Sequence, residues 1–316
     1  MARGYWLAYH EARPEDVRKV FGLASVLVKR VPRPWQLSKR GRPPKFDPRE
    51  HAAVCITAVA LDLTYREVEG LAPGLLGRSM DHSTVGWALQ RLPEGYIHLL
   101  IRLLAKRLRG LVVFNLYVAD STGVSTPVFV RRRWVVRPMK RQVLKLHALI
   151  GYSEQHRVLA VFSARVTSES VHDATQFKLL LEEWVGKGEP LLADRAYDAA
   201  SNFQFAQEKG FRPIIHPRSF ELHGFARREM EMEFELGKDL YRMRSVAEGF
   251  FGGLANRYLS RTRCRLLSTA VSTLLMVVAH DLRALARVQA MNGQEIFILL
   301  WIYSTNPVLQ GFVYRV

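Results

Sequence analysis

A chain of 316 residues with 46 Lys and Arg against 29 Asp and Glu has a formal charge of +17 and a pI near 10.2, which points first to a polyanionic partner, most commonly nucleic acid. Apolar residues at 48% exclude a mainly disordered basic protein. Two distant cysteines, Cys55 and Cys264, without a CxxC pair exclude a disulfide framework or a cysteine zinc site and fit a reducing compartment.

No leader-type apolar segment opens the sequence, and no charge-free apolar run reaches the roughly 18 residues that a membrane span needs. The expectation is a cytoplasmic, nucleoid-associated protein without membrane contact. The excess charge is uneven. Residues 1–110 hold 19 basic and 10 acidic side chains, more than half of the surplus. An N-terminal helical segment over 1–38 is followed by Lys39-Arg40-Gly41-Arg42-Pro43-Pro44-Lys45, which has no acid and three helix breakers. This reads as an extended linker. Arg-Gly-Arg-Pro is also similar to the core of an AT-hook, in which a flat backbone sets Arg into a narrow minor groove. Arg40, Arg42 and Lys45 are therefore candidate DNA contacts, either beside or instead of a hinge role.

Residues 50–110 read as helices. Glu50 to Leu61 is apolar-rich. Thr64 and Glu67 form a capping box for a second helix. Ala72-Pro73-Gly74 reads as a turn, and Asp81-His82-Ser83-Thr84 opens a third helix, Val85 to Leu92, stopped at Pro93. Two short helices, a turn and a capped helix resemble a helix-turn-helix, whose last helix enters the major groove. A basic amphipathic helix over 96–109 completes a helical DNA-binding domain at 39–110.

From about residue 112 the period changes. Val112 to Ala119 reads as a strand ending at Asp120. Lys145 to Tyr152 and Arg157 to Val166 read as an antiparallel hairpin across Glu154-Gln155-His156. His172-Asp173 caps a helix running to about Trp184, and Pro190 to Ala193 is a buried strand ending at Asp194. A helix at 199–209, a strand at 211–215, a long helix from Lys238 to about Tyr258 and another from Ser268 to about Met291 follow. This is a mixed α/β domain around a central sheet, spanning 111–290. The tail at 291–316 contains the apolar run Ile296 to Tyr303, too short to span a bilayer and read as a docking strand or a dimer contact.

Two strands each end in an aspartate, and ligands of open α/β sheets gather at such strand ends. Asp120 and Asp194 on neighbouring strands repel each other unless a cation intervenes, and a hard divalent ion suits oxygen donors. A third acid is expected from a packed helix. Tyr241, Arg244 and Glu248 share a face at i, i+3 and i+7, and Val246, Phe250 and Phe251 around Glu248 predict partial burial. Lys145 and His147 share one face of their strand by alternation, either as ordinary exposed residues or as phosphate contacts. Asp198 rivals Asp194 for the middle acid. Its place before the 199–209 helix suits an N-cap, so Asp194 is preferred.

Asp120-Ser121-Thr122, Lys145-x-His147, Asp194-Arg195-Ala196-Tyr197-Asp198, Ile214-Ile215-His216-Pro217-Arg218 and Tyr241-x2-Arg244-x3-Glu248, in that order, resemble the DDE-type insertion-sequence transposases of families four and five. The resemblance covers roughly residues 40–280. It implies a ribonuclease H-like mixed sheet with flanking helices, preceded by the helical N-terminal domain. It also implies Asp120, Asp194 and Glu248 as catalytic metal ligands for two Mg²⁺ ions, with Mn²⁺ able to substitute. The implied reaction is cleavage at terminal inverted repeats and strand transfer to target DNA, carried out by a homodimer. Lys145, His147, Tyr241 and Arg244 are the implied DNA contacts near the site. The family's signature Lys seven residues after the glutamate is Ala255 here. Arg257 or Arg261 is the candidate substitute. That departure keeps a non-catalytic DNA-binding protein, such as a decayed transposase acting as a repressor, as the alternative, beside a metal-dependent nuclease of the same fold.

Overall fold

The computed structural model describes residues 19–37, 44–125, 143–218, 224–258 and 266–291. Arg40, Arg42, Arg261 and the apolar run at 296–303 lie outside them. The chain divides into two compact units, residues 1–108 with 278–316, and residues 109–277.

The first unit is helical. Helix α1 covers 19–29, and α2 covers Pro48–Ala60. Asp47 caps α2, accepting from the Arg49 N–H, while Glu50 accepts from the Asp47 N–H. This capping box starts the helix slightly ahead of the expected Glu50. Helix α3, Tyr65–Leu76, has the capping box expected of Thr64 and Glu67. The turn expected at Ala72-Pro73-Gly74 is instead helix, because Val68 and Ala72 bury one apolar stripe while Pro73 and Gly74 face outward. The chain reverses at Gly77, whose φ of 69° is the left-handed cap conformation that glycine adopts without strain. Helix α4, His82–Arg91, starts at the Asp81 cap as expected. Helix α5, Glu94–Arg109, buries Ile97, Leu100, Ile101, Leu104 and Leu108 on one face. Phe46, Val54, Ala58, Val68, Met80 and Val85 form a core shared by α2, α3 and α4.

The second unit is α/β, a mixed five-stranded sheet flanked by helices, as expected for the fold class. Strands β1 (Leu116–Ser125), β2 (Val143–Ser153) and β3 (Val158–Ser168) run antiparallel in sequence. Strands β4 (Pro190–Ala193) and β5 (Arg212–Ile215) add in parallel on the other side of β1, giving the order β3-β2-β1-β4-β5. Helices α6 (Asp173–Leu181) and α7 (Ala200–Glu208) occupy the connections around β4. Helix α8, Phe225–Leu236, was not expected. It buries Met230 and Phe234 and precedes the segment read as one long helix. That segment is α9 (Lys238–Tyr241), a 3₁₀ turn (Arg242–Arg244) and α10 (Ser245–Tyr258). Helix α11 runs from Leu266 to Met291, and its residues from 278 on belong to the first unit. Under the sheet, Phe114, Tyr117, Phe162 and Trp184 pack edge to face, and the Trp184 indole donates to the Phe162 carbonyl at 2.9 Å. No described helix is long and apolar enough to cross a membrane.

Candidate active site

Asp120 is not at the end of its strand. Strand β1 continues to Ser125 because β2 pairs with it along its whole length. The parallel pairing with β4 does stop there, with Ala119 opposite Ala193. Asp120 and Asp194 therefore follow directly after paired residues on adjacent strands, at the point where β4 leaves the sheet. Asp194 accepts from the Ala196 N–H at 2.8 Å, which fixes the 3₁₀ turn Arg195–Tyr197.

Asp120 is 7% exposed. Its Oδ1 accepts from the Ser121 N–H at 2.9 Å and its Oδ2 from Arg244 Nη1 at 3.0 Å. Burial pushes its carboxyl up to about 6. The Ser121 N–H and the Arg244 guanidinium pull it down, while the Asp194 and Asp173 carboxylates push it further up. Arg244 Nη2 donates to Glu248 Oε1 at 3.2 Å, so one guanidinium joins the acid of the sheet to the acid of the helix. Glu248 is not partly buried as expected. Its side chain is 67% exposed, because Ala247, Phe250 and Leu254 form the buried face of α10. The oxygens of the three acids do not all lie within 4.8 Å of one another. Among the described residues the groups that do are Glu69, Asp81 and His82 of the helical unit, which bond to each other at its surface.

The structure brings a fourth acid to the same region. Asp173 reads from sequence as half of a helix cap, yet His172 makes no side-chain cap bond. The Asp173 carboxylate instead lies 3.1 Å from Lys145 Nζ and 3.3 Å from His147 Nδ1. This corrects the phosphate-contact reading of His147. Its ring is fully buried, donates to or accepts from Thr167 Oγ1 at 2.8 Å, and is held down to about 4 by burial. Lys145 is half-buried and paired. A same-face Lys and His on a central strand implies a facing anion, but nothing local in the sequence identifies it as Asp173.

Asp198 is not an N-cap. Ala199 occupies that position of α7, and the buried Asp198 carboxylate accepts from Arg227 Nη2 and from the Arg218 N–H, both at 2.7 Å. Tyr241 packs its ring against Phe234 and His216, at 5.2 and 5.6 Å between centroids, and Arg195 Nε donates to His216 Nδ1 at 3.1 Å. Arg195 and His216 were missed as site neighbours. Lys45 donates to the Ser79 carbonyl at 2.9 Å. Ala255 is exposed. The side chain of Arg257 lies outside the described ones.

The family model described as Transposase DDE domain matches residues 114–280, a span that contains all three acids. An uncharacterized protein of Aquifex aeolicus (strain VF5) is 22% identical over 241 residues, 72% of this chain and 74% of that one. Among solved structures, a cryo-EM structure of a piggyBac transposase synaptic complex with hairpin DNA aligns with a TM-score of 0.43 at 8% identity, over 95% of this chain and 79% of that one.

Proposed function

We propose that this chain, which belongs to the transposase DDE-domain family, binds the terminal inverted repeats of a mobile element, cuts DNA there and joins the freed strand to a target. The observation that carries the reading is the placement of Asp120 and Asp194 on adjacent strands, with Arg244 linking Asp120 to Glu248.

The donor set fits hard divalent ions. All three groups are carboxylates, the hard oxygen donors that such ions take, and Asp120 has the Asp194 and Asp173 carboxylates near it as well as Arg244. Asp120, Asp194 and Glu248 would hold two Mg²⁺ or Mn²⁺ ions, which activate the attacking oxygen and stabilise the leaving one in phosphoryl transfer. The protein's own groups do the rest. Arg244 holds Asp120 and Glu248 in one array and presents a forked donor suited to a phosphate. Arg195, beside Asp194, and Tyr241 line the approach. Lys145 and Asp173 position the sheet behind Asp120 rather than touching DNA. The basic linker and the α2–α4 helices grip the element end, and two copies act on paired ends in the cytoplasm at the nucleoid.

The test is divalent-dependent nicking and joining of a labelled duplex carrying the DNA that flanks the gene. Asp120→Ala, Asp194→Ala and Glu248→Ala each lose both reactions and keep duplex binding, and the double variants are no worse than the singles, as for groups that act as a unit. Activity in all three would sink the triad. A second reading, a DNA-binding repressor without catalysis, rests on Ala255 in the place of the signature Lys. It predicts no nicking by the parent and unchanged binding.

A further inference from the structure

Beside the entrance to α4 lies a cavity of about 360 Å³ whose lining includes Trp35, Phe46, His51 and Trp87 together with Lys45 and Asp81. The rings form one edge-to-face cluster. Trp35 and Trp87 are 5.6 Å apart at 84°, and His51 lies 5.6 Å from Trp35 and 5.7 Å from Phe46. In such edge-to-face packing a ring meets only its neighbour's edge, so part of the ring surface stays uncovered. Trp87 is 47% exposed, although α4 buries Val85, Ala88 and Leu89 on its other side. Trp87 packs against Trp35, His51 and Arg91, yet keeps nearly half of its surface in water where it borders the cavity.

The charges around it choose the ligand. The Arg91 guanidinium lies 5.0 Å from the Trp87 ring centroid and 5.7 Å from that of Trp35, and Lys45 Nζ lies 5.4 Å from the Phe46 ring. The protein's own cations already use these rings, so a cationic guest is disfavoured and an anionic, flat one is favoured. The exposed Asp81 carboxylate at the rim caps α4 through Oδ1, and its Oδ2, 3.6 Å from His82 Nδ1, can accept a further N–H. A planar ring carrying N–H donors and joined to a phosphate is a nucleotide. In a duplex both faces of a base are covered by its neighbours, so only an unpaired base offers a face.

We propose that this cavity is a nucleobase site, in which an unpaired base of a bound DNA strand stacks on Trp87 and its phosphate meets Lys45 and Arg91. The site reads no sequence by itself, since every base has a π-face. It rests on the reading of this chain as a DNA-binding protein, and adds that its helical unit grips a frayed or single-stranded end as well as a paired one.

The test uses the full chain and three labelled DNAs: a 12-nucleotide single strand, the same strand with three central abasic sites, and a fully paired duplex of the element end. The base-bearing strand should bind about tenfold more tightly than the abasic one, within the worth of one stacked base. Trp87→Ala should bring that ratio near one, and Trp87→Phe should keep most of it. Duplex affinity, measured on all three proteins, reports any separate share of Trp87 in the grip of α4 on paired DNA and leaves the base-to-abasic ratio as the readout. A ratio near one in the parent overturns the proposal, as does a ratio that Trp87→Ala leaves unchanged. Displacement of the strand by an equal concentration of free deoxynucleoside monophosphate also overturns it, because the site would then serve free nucleotides. Loss of duplex binding by the parent is read on its own arm and counts against the DNA-end reading alone. Trp87 is half exposed, so both variants keep the α4 core, which far-ultraviolet circular dichroism checks.

Discussion

Asp198 and Asp194 differ by four positions and by everything that surrounds them. Asp194 sits at the strand end with Asp120 across the ladder, while Asp198 has a side chain only 1% exposed against Arg227. Removing it leaves a guanidinium that is itself mostly buried without its partner. Asp198→Ala should therefore cost about 3 kcal/mol in urea unfolding, the lower end for breaking a buried ion pair, with nicking retained by the folded fraction. A cost under about 1 kcal/mol, the size of a lost cap, would return Asp198 to the N-cap role. His147 makes the pH case. Burial holds its imidazole down to about 4 from the ordinary 6.5, so the unfolded chain binds the proton first as pH falls. Its contribution is full above pH 6.5 and is lost as pH drops through that range to about 4, at most about 3 kcal/mol by the unit conversion. His147→Gln should flatten the fall in stability between pH 6.5 and 4. An equally steep fall in that variant would place the acid sensitivity elsewhere.

At the scale of elements, strands declared themselves where burial was one-sided and helices where caps were present. The hairpin of β2 and β3, the short β4 and the Thr64 box all follow from such local signals. Helix α8 did not, because Met230, Met232, Phe234 and Leu236 alternate with acids at a strand-like spacing, while only Met230 and Phe234 are buried, one turn apart. The run from 238 to 258 looked continuous because nothing in its sequence marks the 3₁₀ turn at Arg242–Arg244. The full length of β1 was hidden as well, since Asp120 resembles a strand end and only pairing with β2 carries the strand past it. The same ladder yields a packing test. A methyl group added at Gly151 in β2 would lie 2.4 Å from Phe162 Cε2 and 2.9 Å from Phe114 Cδ1. Both rings belong to the packed aromatic cluster and have little room to yield. Gly151→Ala should cost about 1–3 kcal/mol as overpacking, read as a lowered urea midpoint. No loss would mean that the cluster repacks freely. Ala255 offers the opposite case. Its exposure on α10 gives Lys open solvent there, so Ala255→Lys should fold like the parent and should keep or raise nicking.

Across the whole molecule, the ordered acids were easier to nominate from sequence than the residues that surround them. The order of Asp120, Asp194 and Tyr241-x2-Arg244-x3-Glu248 suffices to nominate the acids. Arg195 and His216 lie in segments that the family pattern marks, but their contact with each other, like that of Asp173 with Lys145, joins residues more than 20 positions apart. Net charge is the property of the chain that a single titration reads. Each phosphate neutralised by Lys or Arg releases counterions, and log affinity for a duplex falls with log salt at a slope of about −0.9 per contact. More than half of the surplus charge lies in residues 1–110, so element-end binding should persist in the triad variants and depend on the N-terminal third. Within it, Arg40, Arg42 and Lys45 are not equivalent. Lys45 is tied to the Ser79 carbonyl and stands over Phe46, so it gives up protein contacts on reaching a phosphate. Replacing Arg40 and Arg42 together by Ala should make the slope shallower by about two, and adding Lys45→Ala should bring the change to no more than about three. Anisotropy of one labelled duplex between roughly 50 and 200 mM salt measures it, the range over which such contacts dominate affinity. An unchanged slope in the triple variant would show that the linker only joins its neighbours, and that the DNA grip lies on the helices.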